Sequence, residues 1–153
     1  HPDDVDWEAL KAAERAERGE LRESALDGVA AGLPALARAL KLTERAARVG
    51  FDWPEAAQVL DKISEEAAEL TAELGGPRAR IEAEYGDLLF VMVNLGRHLG
   101  LEPEGALRRA NAKFERRFRT VETRLREEGR RPEEAGLAAM EAIWQAVKRE
   151  ERG

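Results

Sequence analysis

Cysteine is absent from this chain, which excludes disulfides, thiolate catalysis and thiolate metal sites. Histidine occurs only at positions 1 and 98, too few for a typical zinc site. Aromatic residues make up only 5% of the sequence. No apolar run is long enough to span a bilayer, so no membrane partner is expected. No secretory signal pattern is read, and a cytoplasmic location is the expectation. The net charge of −6 argues against binding a nucleic-acid polymer, though not against binding a single nucleotide. Asparagine is confined to positions 94 and 111, which makes Asn94 and Asn111 worth following. Against these absences stand 43% hydrophobic and 37% charged residues in a chain of 153. That balance describes a strongly amphipathic helical protein, long enough to bury a core.

Apolar residues recur at helical spacing along most of the chain. Val5, Trp7, Leu10 and Ala13 predict a first helix over 5–18, stopped at Gly19. Residues 19–33 read as a connector. Pro34 suits the first turn of a helix running to about Val49. Asp52-Trp53-Pro54 predicts the next start, with Pro54 in the first turn and the helix reaching Leu74. Gly75-Gly76-Pro77 turns the chain into a helix over 78–99. Its segment Leu88–Val93 is apolar nearly all round, so this helix is expected to be the most buried. Ile81, Tyr85, Leu88, Met92, Leu95 and Leu99 form its expected inward stripe. Further helices are predicted over 103–128 and from Pro132 onward. No strand pattern is found, and the fold class expected is an all-α helical bundle.

Carboxylates fall at helical spacing on two successive helices. Glu66 and Glu69 lie about one turn apart, as do Glu84 and Asp87. The Gly-Gly-Pro turn makes those helices antiparallel neighbours, so the two pairs can face each other. Four clustered acids repel, and a hard divalent cation relieves the repulsion and recruits phosphate. With oxygen ligands only, Mg²⁺ or Mn²⁺ is the expected ion. A carboxylate-bridged di-iron site is disfavoured, because position 95, three before His98, is leucine. Lys113 and Arg117 border the inward face of the helix over 103–128, as phosphate ligands or as snorkelling side chains. Asn111 is placed on that apolar face, where it needs a buried hydrogen bond. Trp144 reads more readily as core than as a stacking platform. His98 reads as either a surface residue or the edge of a site. The competing readings are a helical interaction module with a solvated acidic face and a nucleotide-binding regulator.

These residues carry a resemblance. Gly50-Phe51-Asp52-Trp53-Pro54, Lys62-x-x-Glu65-Glu66-x-x-Glu69-Leu70 and Glu84-x-x-Asp87-Leu88-Leu89-Phe90 resemble the MazG family of nucleoside triphosphate pyrophosphohydrolases. The likeness continues through Asn94-Leu95-Gly96-Arg97-His98, Ala110-Asn111-x-Lys113-Phe114 and Trp144-x-x-Val147-Lys148. It implies a domain over 34–153, with residues 1–33 similar to the segment joining the halves of a longer two-domain protein. It further implies Mg²⁺-dependent hydrolysis of nucleoside triphosphates to the monophosphate and pyrophosphate, in an all-α homodimer. Carried over by motif position, Glu66, Glu69, Glu84 and Asp87 bind the metal, and Glu65 supports them or orients water. Lys62, Lys113 and Arg117 hold phosphates, while Asn94, Asn111 and Trp144 contact sugar or base.

Overall fold

The tight turn at Gly75-Gly76-Pro77 organises the part of the molecule that holds the acids. The Gly76 amide donates to the Glu73 carbonyl at 2.8 Å, reversing the chain within one turn. The computed structural model describes residues 6–17 and 23–152. Among these are seven helices and no strand: α1 (Trp7–Glu17), α2 (Ala35–Arg48), α3 (Ala56–Glu73), α4 (Arg78–His98), α5 (Pro103–Glu127), α6 (Pro132–Ala135) and α7 (Leu137–Arg152). The all-α expectation is met. Val5 and Gly19, expected to belong to the first helix and its stop, lie outside the described residues. The chain forms two compact units, divided after Gly100.

In the first unit α3 and α4 form an antiparallel hairpin, and α2 also packs on α4. Val59 of α3 is fully buried, with Val91 and Val93 of α4 nearly so. Arg45 of α2 is only 6% exposed and ties the preceding chain to the unit. It donates to the carbonyls of Ala25 (3.3 Å) and Asp27 (2.8 Å) and to the Glu8 carboxylate (2.8 Å). Arg45→Met is expected to lower the unfolding free energy by about 1–3 kcal/mol, the range for stranding buried hydrogen-bonding groups. Urea denaturation at fixed pH measures it.

Two expectations for this unit are corrected. Helix α3 begins at Ala56, so Pro54 lies before it. Glu55 is the capping residue, and the Gln58 side chain accepts from the Glu55 amide at 3.2 Å. Asp52 is unavailable as a cap because its carboxylate is engaged by α4. The second correction concerns α4, where Tyr85, Leu89, Phe90 and Met92 are exposed rather than buried. An all-round apolar segment has no periodicity to say which side faces in. Val91 and Val93 took the core positions instead.

The second unit pairs α5 with α7. Val121, Leu125 and Val147 form its core. Pro103 opens α5, and the Glu102 carboxylate caps it by accepting from the Glu104 (3.0 Å) and Gly105 (2.6 Å) amides. The single last helix expected from Pro132 is two. Gly136 adopts φ +83, a left-handed conformation that breaks the run between α6 and α7.

Candidate metal centre

Helix geometry delivers the acids as the spacing predicts. Glu66 comes from α3, while Glu84 and Asp87 come from successive turns of α4. One carboxylate oxygen from each of these three lies within 4.8 Å of the others. Glu69 sits outside that trio but beside Glu84, close enough to act on its carboxyl as a hydrogen-bond neighbour. The hairpin therefore brings all four acids to one place. Burial is graded, with Glu66 only 6% exposed, Glu84 half-buried, and Glu69 and Asp87 exposed.

Electrostatics follow from that crowding. Desolvation first, and then the charges of Glu69, Glu66 and Asp87, push the Glu84 carboxyl above its ordinary range. Lys62 answers part of the negative charge. Its amine lies 3.3 Å from Glu66 and 3.5 Å from the exposed Glu65. The hydrogen bond to Glu66 is the main reason the Lys62 amine sits above its usual value, with Glu65 adding to it. Two oxygens remain unsatisfied, since Glu66 Oε2 and Glu84 Oε2 are buried without a hydrogen-bond partner among the described residues. A buried carboxylate oxygen left bare is costly, and a cation removes the cost. The donors are all carboxylate oxygens, which suits a hard divalent cation.

The other expected site residues are distributed over both units. Asn94, on α4, is buried, and its Oδ1 accepts from Arg97 Nε at 3.0 Å. Asn111, Lys113, Arg117 and Trp144 belong to the second unit. Asn111 lies on α5 between Leu107 and Phe114, and all three are exposed, so the face it shares is open and the expected burial is not found. Spacing fixes which side chains share a face, but not whether that face is covered. Lys113 is exposed too. Arg117 Nε donates to Glu151 at 2.7 Å, and its guanidinium lies 5.9 Å from the centre of the Trp144 ring. Trp144 is half-buried against Phe114, with ring centres 5.4 Å apart.

One cluster escaped the sequence reading. The Asp52 carboxylate takes an ion pair from Arg97 at 2.6 Å and a hydrogen bond from His98 at 2.8 Å. Burial raises the Asp52 carboxyl, but the hydrogen bonds and charges of Arg97 and His98 outweigh it and hold it below its ordinary value. His98 is thus neither a loose surface group nor an acid-site ligand. Both stretches that hold it, Gly50–Pro54 and Asn94–His98, carry the resemblance, but nothing in the sequence pairs Asp52 with Arg97, 45 positions away.

The frame is all-helical, with four carboxylates converging on one antiparallel hairpin and Glu66 buried among them, and it is of the α-helical pyrophosphohydrolase class. The profile of the phosphoribosyl-ATP pyrophosphohydrolase family matches residues 33–114, and the chain belongs to that family. Within it, the expected kinship with MazG proteins is shown by the relatives. The chain is 47% identical over 148 residues to a nucleoside triphosphate pyrophosphohydrolase of Escherichia coli strain K12, covering 95% of this chain and 56% of that protein. It is 39% identical over 142 residues to the nucleoside triphosphate pyrophosphohydrolase/pyrophosphatase MazG of Thermotoga maritima, covering 93% of this chain and 54% of that protein. An uncharacterized protein of Bacillus subtilis, YabN, is 40% identical over 150 residues, covering 97% of this chain and 30% of its own length. The chain spans about half the length of the first two relatives. Among the described residues, no helix is long and apolar enough to cross a membrane.

Proposed function

We propose that this chain hydrolyses nucleoside triphosphates to the monophosphate and pyrophosphate, with Mg²⁺ as the cation at the acid cluster. The observation that carries the reading is the pair of bare, buried oxygens on Glu66 and Glu84, set against Asp87. A solvated acidic face does not bury its carboxylates. Glu66, Glu69, Glu84 and Asp87 would hold the ion, which supplies charge neutralisation to phosphate oxygens and acidity to a water. Water attacks the α-phosphorus, the bond to the bridging oxygen breaks, and pyrophosphate leaves. A carboxylate of the cluster takes the proton of that water. Glu65 is proposed to orient it. Lys62, already at the cluster, is proposed to turn to the phosphates. Lys113 and Arg117 keep the proposed phosphate role, and Asn94, Asn111 and Trp144 the proposed sugar or base role, on the family resemblance. Action on free nucleotides fits a cytoplasmic enzyme. The test is incubation with Mg²⁺ and each nucleoside triphosphate, followed by a pyrophosphate assay. Heat stabilisation by nucleotide with no product would favour a regulator.

A homodimer is part of the proposal. Tyr85, Leu89 and Met92 are exposed and recur at helical spacing along one side of α4, and Leu99, exposed too, follows at its C-terminal cap. An apolar row of this kind supports the reading of α4 as an interface. Light scattering is expected to give a dimer for the wild type. Leu89→Asp with Met92→Asp is expected to give a monomer, and an unchanged mass would remove α4 from the interface.

A further inference from the structure

The first unit also holds a cavity of about 610 Å³. That falls in the range of roughly 300–1,000 Å³ typical of small-molecule sites. Its wall includes Thr43, Phe51, Trp53, Phe90, Val91 and Asn94, and Asp52 lines it too. Three of those side chains are aromatic. Phe90, Val91 and Asn94 connect the cavity to the acids, because Asp87, Val91 and Asn94 recur four and three positions apart on α4. That spacing puts them on one helix face. The rise from Asp87 to Asn94 is about 10 Å along the axis. Cavity and acid cluster are therefore neighbouring stations on one side of α4.

The Asp52 cluster bears on the same wall. Asp52 stands between Phe51 and Trp53 in the loop joining α2 to α3. Its carboxylate is pinned by Arg97 and His98 at the end of α4. Phe51 is itself 83% exposed, so packing does not hold it. Arg97 Nε also donates to Asn94 Oδ1, which fixes the orientation of the amide and of its two N–H donors.

We propose that the Asp52–Arg97–His98 cluster is a latch that holds the Phe51–Trp53 loop as one wall of a receptor for a planar aromatic ring. The ring is the base of a nucleotide whose polyphosphate sits at the acid cluster, so this inference rests on the function proposed above. Asp52, Arg97 and His98 are positioning residues. Phe51 and Trp53 supply faces for the ring, and Asn94 supplies donors to its edge.

Two ligands that share a triphosphate and differ in the nucleoside test this, with ribose 5-triphosphate as the ring-free control for the sugar. Affinities for a non-hydrolysable nucleoside triphosphate and for inorganic tripolyphosphate are measured with Mg²⁺ on the full chain. Asp52→Asn and Phe51→Ala are each expected to weaken the nucleotide by about tenfold, the size of one base–aromatic contact. Tripolyphosphate binding is expected to stay unchanged. Nucleotide, but not tripolyphosphate, is expected to quench Trp53 fluorescence, read as the signal lost in Trp53→Phe. Equal losses for both ligands would reduce the latch to a structural brace and overturn the proposal, as would no loss for either. Should Asp52→Asn fail to fold, the exposed Phe51→Ala decides alone. A wild type that binds both ligands equally well removes the cavity and keeps the acid site. A wild type that binds neither removes both.

Discussion

Asp87→Asn is expected to cut pyrophosphate release by about a thousandfold or more, because losing one carboxylate from a phosphate-activating cation site forfeits several kcal/mol of transition-state stabilisation. The helices are expected to remain intact. Asp87 is exposed, and asparagine keeps its size. Circular dichroism of the variant should match the wild type while the assay falls to background. Glu69→Gln is expected to behave the same way, since Glu69 adjoins Glu84. Near-normal turnover in either variant would discard the assignment of the acids.

Divalent cations should govern stability as strongly as they govern turnover. In chelator the acids face one another and, among the described residues, Lys62. The folded Glu84 carboxyl titrates above its ordinary 4.5, so the folded state binds its proton more tightly than the unfolded chain does. Its contribution is fully present below pH 4.5 and is lost as pH rises through the higher folded value. In chelator, stability should therefore fall across that window, and Glu84→Gln should melt higher than the wild type at neutral pH. Adding Mg²⁺ reverses the order. At a hundred times its dissociation constant the ion adds about 2.7 kcal/mol to a protein that binds it only when folded. Glu84→Gln should gain much less. A wild-type melting temperature indifferent to both chelator and Mg²⁺ would contradict the centre.

Local features of this molecule were legible and distant ones were not. Glu66 with Glu69 and Glu84 with Asp87 could be matched because each pair sits within one helical turn and a single tight turn joins the helices. The start of α3 was misjudged because Pro54 and Asp52 look like an opening turn. Only Arg97 and His98, far along the chain, reveal that Asp52 is claimed elsewhere. Leu88–Val93 announced an apolar helix without its inward side, since periodicity carries no signal when most positions are apolar. The break at Gly136 was missed because one glycine amid helix formers is tolerated as often as it interrupts.

The acids from Glu66 to Asp87 lie on one continuous stretch that crosses a single turn. Nothing from a remote part of the sequence is needed to bring them together. Contacts of such short loop length form early, ahead of pairings that must close long loops. A hairpin formed that early would meet its own repulsion before the remaining helices dock, and the divalent ion proposed for the acids would then aid maturation as well as the proposed turnover.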